Sequence, residues 1–312
     1  MNRLGIIGLG IMGERLMRAA RSHEATQVVA VWDPSPGALE RLDGMAMAGS
    51  AEAVIAASDA VYVASPPASH IEHGQRVLAA GRALFLEKPL ASDLAAARAF
   101  VAGAAGQRAA VNFPMASSPA IQQLRAWLPG IGAIQRIDIS VAFAIWPRGW
   151  QQGAAAWLTQ RAEGGFTREV VSHFLFLAGR LLGPLRLEQA RVTYLPGMGS
   201  EIAIAARLQA GGVPVSITGG VGTTLADDHN VCRIQGGTGA IRLRDWSLAE
   251  RIAPDGTWHP APDALPNERM RPMTLARQLD KLAALTLGEP TDLATLQEAL
   301  AVQEIVEAIL SA

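Results

Sequence analysis

The sequence predicts an α/β N-terminal half built on a parallel sheet, followed by an α+β half whose open, mostly antiparallel sheet carries helices on one face. The first observation behind this is the alternation of short apolar runs, at 4–7, 27–32, 60–64, 83–86 and 108–113, with helix-period segments. That order is the mark of βαβ units stacked into a parallel sheet. The second is a change of pattern beyond a stretch punctuated by Pro and Ser at 114–119. Strand-like runs now follow one another, at 134–145, 185–194, 202–208, 213–219, 230–235 and 240–244, with one helical block at 169–182 between the first two. Strands joined by turns pair antiparallel. The third is length, since 312 residues can bury two cores. The boundaries follow as residues 1–115 for the first domain and 116–312 for the second.

Each element has a local signal. The first strand opens into a glycine-rich turn and a helix that runs to about Ser22. Asp33-Pro34 stops the second strand, and helices follow at 38–42 and 50–57. Ser65-Pro66-Pro67 closes the third run, and the helix at 70–80 ends at Gly81, a C-terminal glycine of the usual kind. Glu87-Lys88-Pro89 closes the fourth run, and Ser92 is placed to cap a helix at 92–103. In the second half, 253–267 is Pro-rich and is expected to be a loop, and helices at 274–287 and 292–310 end the chain. His229 and the neighbouring Asp227-Asp228 are expected to be solvated.

Half of the residues are apolar and the net charge is −1. This balance offers no electrostatic basis for binding nucleic acid or an anionic membrane. Each long apolar stretch is interrupted by Arg, Glu, Asp or Pro, so no membrane span is expected, and the N-terminus lacks signal-peptide organisation. The lone Cys232 excludes an intrachain disulfide. The six His show no metal-ligand spacing, so no metal is expected. The expected location is the cytoplasm.

Gly8-Leu9-Gly10-Ile11-Met12-Gly13 is a G-x-G-x-x-G between a strand and a helix, and Asp33 stands 20 residues after Gly13 at the end of the next strand. In that context the glycines allow a tight turn and close approach to a pyrophosphate, which rests on the helix N-terminus. Asp33 would accept hydrogen bonds from the adenosine ribose and would repel a 2′-phosphate. NAD is therefore the expected cofactor, with NADP disfavoured, although Arg41 lies in reach of the same region. The motif thus makes the first domain a Rossmann-type dinucleotide-binding unit.

Two further positions carry chemistry. Lys88 follows the fourth strand, and ligands of open α/β sheets bind beyond the carboxyl ends of the strands. A lysine there can hydrogen-bond or protonate a substrate oxygen. Glu169 and His173 are four apart on one expected helix, so the carboxylate can orient the imidazole as a general base. An ion pair on a helix surface fits the same spacing. Trp146, Arg148, Trp157 and Arg168 are candidate substrate contacts, because aromatic and guanidinium faces suit sugars, carboxylates and phosphates.

At this point the chain resembles the Gfo/Idh/MocA family of NAD(P)-dependent oxidoreductases. The resemblance rests on the glycine turn, Ser65-Pro66-Pro67 with His70, Gly81, Glu87-Lys88-Pro89, Trp157, Glu163-Gly164-Gly165 and His173. It implies that Lys88 is catalytic and that Ser65, Pro66, His70, Glu87 and Lys88 belong to the cofactor site. It also implies a second domain whose exposed sheet face joins copies of the chain into a homo-oligomer. The implied activity is hydride transfer between nicotinamide and a secondary alcohol, hemiacetal or ketone of a small sugar- or polyol-like molecule. The chain departs from the family where Glu169 replaces an Asp, and where Val171 and Phe176 replace a Gly and an acid. It also carries Pro114-Met115-Ala116-Ser117 in place of an Asn-Arg-Arg-Phe-like segment. These changes remove groups that would hold several hydroxyls. Two alternatives follow: an NAD-assisted glycoside hydrolase with no net cofactor turnover, and a non-catalytic NAD sensor. Lys88 and His173 speak against the sensor. The β-rich second half speaks against the 3-hydroxyacid dehydrogenases, which share the glycine turn but have a helical second domain.

Overall fold

A computed structural model of the chain describes residues 1–41, 47–197 and 199–312. The end of the expected 38–42 helix lies outside the described residues, as does the Arg41 side chain; Pro36–Arg41 is a 3-10 turn. The chain forms two compact units, Met1–Ser117 with Thr274–Leu300, and Ser118–Met273 with Ala301–Ala312.

The first unit holds a five-stranded sheet of β1 (Asn2–Ile7), β2 (Thr26–Trp32), β3 (Ala60–Val63), β4 (Ala83–Leu86) and β5 (Ala109–Val111). Its order is β2-β1-β3-β4-β5 and each pair of neighbours runs parallel. The interior strands β3 and β4 are buried at every residue, which is why they read as unbroken apolar runs. Helices α1 (Ile11–Arg21), α2 (Ala51–Ala57), α3 (His70–Ala79) and α4 (Leu94–Gly103) make the crossovers. The cap of α4 is Asp93, whose carboxylate accepts from the Ala96 amide at 2.6 Å, and not Ser92 as expected. Gly81 follows α3 with φ +69°, the left-handed conformation that a helix-ending glycine supplies.

The second unit holds an eight-stranded sheet of β6 (Ile134–Phe143), β7 (Leu185–Thr193), β8 (Ala203–Ala210), β9 (Val213–Val221), β10 (Asp228–Gly236), β11 (Ala240–Arg244), β12 (Leu248–Ile252) and β13 (Trp258–Pro260). Its order is β13-β12-β11-β10-β6-β9-β8-β7. The neighbours pair antiparallel except β6 with β9, which run parallel. Along β6, buried Ile137, Ile139, Val141 and Phe143 alternate with more exposed residues, as a sheet with one covered face requires. Helix α5 (Pro119–Trp127) packs on β11 and β12, and α7 (Ser172–Leu182) on β7 and β8. Between them lies the single-turn α6 (Ala155–Leu158). The opposite face carries Arg136, Asp138 and Ser216 in one hydrogen-bonded row, and Gln209 donating to Glu188.

Two expectations are corrected here. The 253–267 segment contains β13, whose Trp258 ring lies under the Arg242 guanidinium at 4.3 Å. The second domain also does not run unbroken to residue 312. Helix α8 (Asn267–Leu287) begins in the second unit and ends in the first, and α9 (Leu296–Leu310) makes the return crossing. The reason is hydrophobic. Leu275, Leu279, Leu282 and Leu293 complete the core formed by Leu4, Ile6, Val31, Tyr62 and Phe85. Among the described residues, no helix is long and apolar enough to cross a membrane.

Leu282 is fully buried in that core. Leu282→Ala should therefore cost about 2–5 kcal/mol, read as a lower urea midpoint for the transition of the first unit. A midpoint equal to that of the parent would show that the returning helix is not part of this core.

Candidate cofactor and catalytic sites

The glycine turn divides its work among three residues. Gly8 has φ +93°, and a Cβ there would meet the Ala64 and Ser65 backbone at 2.5–2.7 Å. A Cβ on Gly13 would lie 1.9 Å from the Gly8 carbonyl oxygen, so only glycine lets α1 seat against the turn. Gly10, the N-cap of α1, has open space where its Cβ would be. That gap sits at the positive end of α1, beside the half-buried Ile11 and Met12, where a pyrophosphate can approach the backbone. Asp33 Oδ2 accepts from the Leu9 amide at 2.7 Å and Oδ1 from the Ser35 amide at 2.8 Å. Its carboxylate thus ties the end of β2 to the turn, with lone pairs left over for a ribose. These residues fit a dinucleotide.

The turn after β4 is organised from inside the unit. The Glu87 carboxylate is buried. Its Oε1 accepts from the Tyr62 hydroxyl and from Asn112 Nδ2 at 2.6 Å, and its Oε2 from the Lys88 amide at 3.2 Å. Gln278 Nε2 in turn donates to Asn112 Oδ1 at 2.6 Å. Burial pushes the Glu87 carboxyl above its ordinary range, against the lowering effect of Tyr62, Lys88 and Asn112. With both oxygens engaged inside the unit, Glu87 supports the turn. Lys88 is half-buried, and the Lys88–Pro89 bond is cis.

His70 is 1% exposed, with Nδ1 2.8 Å from the Pro89 carbonyl oxygen and Nε2 2.7 Å from that of Ser65. It spans the two turns, after β3 and after β4, that carry Ser65-Pro66 and Lys88. A neutral ring donates to one of these carbonyls at a time. Burial pulls its pKa down to about 4, opposed by the two carbonyl contacts, which favour the charged ring.

In the second unit, Glu169 lies in a π-helical turn, Thr167–Val171, that leads into α7. The expected helix at 169–182 is therefore α-helical only from Ser172. His173 is buried in the first turn of α7, and its ring meets Trp246 edge-on at 5.5 Å. Trp246 Nε1 donates to Asp228 Oδ2 at 3.2 Å, and Arg148 Nη1 donates to the same oxygen at 2.5 Å. Arg148 Nε donates to Gln151 at 2.8 Å, and its guanidinium lies 4.7 Å from the Trp150 ring. Asp228 thus opens β10 in an ion pair with Arg148, correcting the expectation that it is solvated.

Three of the expected substrate contacts have other surroundings. Four of the five N–H groups of buried Arg168 are committed: Nε and Nη2 to the Glu307 carboxylate, both at 2.7 Å, and Nη1 to the Arg161 and Gly164 carbonyls. Arg168 is therefore a support for the Gly164-Gly165 turn. Trp146 donates to the Leu158 carbonyl at 3.2 Å and packs edge-on against Phe143 and Phe166. Trp157 is half-buried on α6. Sequence reading passed over Tyr62, Asn112 and Trp246, and took Asp228 as solvated. Of these, Trp246 alone has a backbone signature: it and Asp245 have positive φ, 72° and 46°, in the turn between β11 and β12. Among the described residues, no group of three or more His, Cys, Asp or Glu is placed to hold a metal ion.

Residues 2–113 match the model of the GFO_IDH_MocA family, described as an oxidoreductase family with an NAD-binding Rossmann fold. An inositol 2-dehydrogenase from Cereibacter sphaeroides (strain ATCC 17029 / ATH 2.4.9) is 41% identical over 114 residues, 34% of each chain. The match thus spans about a third of that relative's length. A protein of Amycolatopsis mediterranei (strain S699), whose name proposes a UDP-kanosamine synthase oxidoreductase subunit, is 28% identical over 275 residues, 78% of this chain and 75% of its own. The fold of an oxidoreductase from Agrobacterium radiobacter, solved with NAD+, L-tartaric acid and magnesium, superposes with a TM-score of 0.82 at 22% identity. That superposition covers 98% of this chain and 94% of the other. A UDP-N-acetylglucosamine 3-dehydrogenase from Acidithiobacillus ferrooxidans gives 0.79 at 18% identity, over 100% and 97%.

The glycine turn predicts a split between two substitutions. Gly10→Ala should leave the unfolding temperature unchanged and weaken NAD binding in calorimetry, whereas Gly13→Ala should lower both stability and affinity. Equal NAD affinity in Gly10→Ala would remove the turn from the cofactor site. His70 predicts a pH effect. Its folded pKa lies below the ordinary 6.5, so the unfolded chain binds more protons between about 4 and 6.5. The stability it contributes is present above 6.5 and lost as pH falls towards 4. The slope of unfolding temperature against pH over that window should flatten in His70→Gln. Parallel slopes in the two proteins would contradict it.

Proposed function

We propose that the chain is an NAD-dependent dehydrogenase acting on the CH–OH group of a small sugar- or polyol-like molecule. The observation that carries this reading is the glycine turn, open at Gly10 and anchored by Asp33, in the same unit as a lysine anchored through its own amide to buried Glu87. The names of the relatives, inositol 2-dehydrogenase and UDP-N-acetylglucosamine 3-dehydrogenase, support the substrate class. Gly8, Gly10, Ile11, Met12, Gly13 and Asp33 hold the dinucleotide, with Ser65 and Pro66 after β3. NAD, when bound, supplies the hydride acceptor.

The side chains of this protein supply the proton chemistry. His173 takes the proton of the substrate hydroxyl, with Glu169 orienting the ring. In the first unit, the Lys88 ammonium is the group that can hydrogen-bond an oxygen and stabilise negative charge developing on it. Asp33 favours NAD over NADP, because a second anion beside its carboxylate would be repelled. The proposal includes a cytoplasmic location, in keeping with the buried free thiol of Cys232. It also includes self-association through the sheet of the second unit, supported by the hydrogen-bonded polar row on its uncovered face.

The test is reduction of NAD and of NADP, followed by nicotinamide absorbance, across neutral and acidic sugars, polyols and hydroxy acids. NAD should be reduced by at least one of them. Lys88→Met should abolish turnover while keeping NAD affinity close to that of the parent. His173→Ala should slow alcohol oxidation by about 10²–10⁴-fold at neutral pH. An unaltered pH–rate profile in His173→Ala would remove it as the base. Tight NAD binding with no reduction across the panel would favour hydrolysis or sensing instead.

A further inference from the structure

The second unit contains positive charge that its fold leaves unanswered. Arg148 is 5% exposed, and its Nε and Nη1 are bound to Gln151 and Asp228. Its Nη2 has no hydrogen-bond partner among the described residues. The guanidinium lies among the rings of Trp146, Trp150 and Trp246, at 5.9, 4.7 and 5.9 Å. Arg271, in the first turns of α8, is half-buried and close enough to Arg148 for the two charges to repel. Among the described residues it makes neither a hydrogen bond nor an ion pair. Burial, followed by the Arg148 charge, lowers its pKa, while Glu268 and Asp228 oppose that shift. Asp228 is already held by Arg148 and Trp246, and Glu268 is exposed to solvent. One positive charge is thus left over in a half-buried place. A protein that only needed to fold would gain by replacing Arg271 with a neutral side chain.

Position gives this surplus a use. The Trp246 ring joins the cluster to the candidate base, touching His173 on one side and donating to Asp228 on the other. We propose that Arg148 and Arg271 bind an anionic group, a carboxylate or a phosphate, carried by the substrate whose hydroxyl His173 deprotonates. This rests on the dehydrogenase reading and adds the class of substrate: an acidic sugar, a hydroxy acid or a sugar phosphate, in place of a neutral polyol. A planar guanidinium with free N–H groups suits either oxyanion.

The experiment titrates the NAD-loaded protein with D-glucose, D-glucuronate and D-glucose 6-phosphate, with tryptophan fluorescence as the readout, in the parent and in Arg271→Gln. At least one of the two anions should bind more tightly than glucose, and which one does so separates carboxylate from phosphate recognition. Arg271→Gln should weaken that anion by about 10–100-fold, the value of a charged hydrogen bond, and leave the glucose response alone. Its unfolding temperature should equal or exceed that of the parent, since a repulsion has been removed. The inference is overturned if neither anion binds more tightly than glucose, if Arg271→Gln keeps the anion affinity, or if it unfolds at a lower temperature. Anion binding that depends on Arg271, in a protein that reduces NAD with no alcohol, would overturn the dehydrogenase reading alone. NAD reduction that is no better with either anion than with glucose, and unchanged in Arg271→Gln, would overturn the anion site alone.

Discussion

A carboxylate taken out of water must be surrounded by donors or it destabilises whatever encloses it by several kcal/mol. Glu87 meets that requirement by drawing donors from three places at once: Tyr62 from β3, Asn112 from just beyond β5, and the Lys88 amide from its own turn. Gln278 of α8 closes the set through Asn112. The carboxyl ends of adjacent parallel strands are thereby fixed to one another and to the returning helix. The candidate proton donor Lys88 hangs from this point through the backbone, and His70 bridges the same turn to the one after β3. Precision at the surface of the first unit is thus set by polar contacts inside it.

The second unit repeats the logic with different chemistry. Arg148 and Asp228, 80 residues apart, meet because β6 and β10 pair in register and Asp228 stands opposite Phe143 at the end of the ladder. Trp246 reaches them from a turn with two consecutive positive φ values, at Asp245 and at Trp246 itself. Such a conformation costs of order 1–3 kcal/mol for a residue with a side chain. It persists here with the Trp246 amide donating to Asn230 Oδ1 at 3.2 Å and the Asp245 amide to the Asn230 carbonyl at 2.9 Å. A bulky ring held in so strained a place, against the histidine expected to act as base, fits a wall of a binding site better than a filler of the core.

The readability of these features follows the range of the forces behind them. The glycine turn and Asp33 were legible because each acts through backbone within one βα unit, so spacing carries the meaning. The sheet classes were legible for the same reason, as unbroken apolar runs in β3 and β4 and alternation in β6. The ion pair of Arg168 was not legible, because its partner, Glu307, lies 139 residues away and nothing local distinguishes a guanidinium bound to protein from one turned to a ligand. The start of α8 was placed after Pro272, a residue that ordinarily interrupts helices, whereas the helix begins at Asn267 and carries the proline inside it. That misplacement hid Arg271, and Trp246 was hidden by a turn lacking the Asn-Gly or Asp-Gly pair that normally marks positive φ.

The return of Thr274–Leu300 to the first unit also sets a timetable for biosynthesis. Domains generally fold as they emerge, N-terminal first, at about 5–20 residues per second. Residues 1–117 leave the ribosome with their five strands complete but without Leu275, Leu279, Leu282 and Gln278. They must wait roughly 8–30 s at that pace while residues 118–273 are made. During that interval one side of the apolar core lies open and Asn112 lacks its partner. The first unit to begin synthesis is therefore completed only shortly before residues 301–312 of the second, and nascent chains of this protein have reason to engage a chaperone at the N-terminal end.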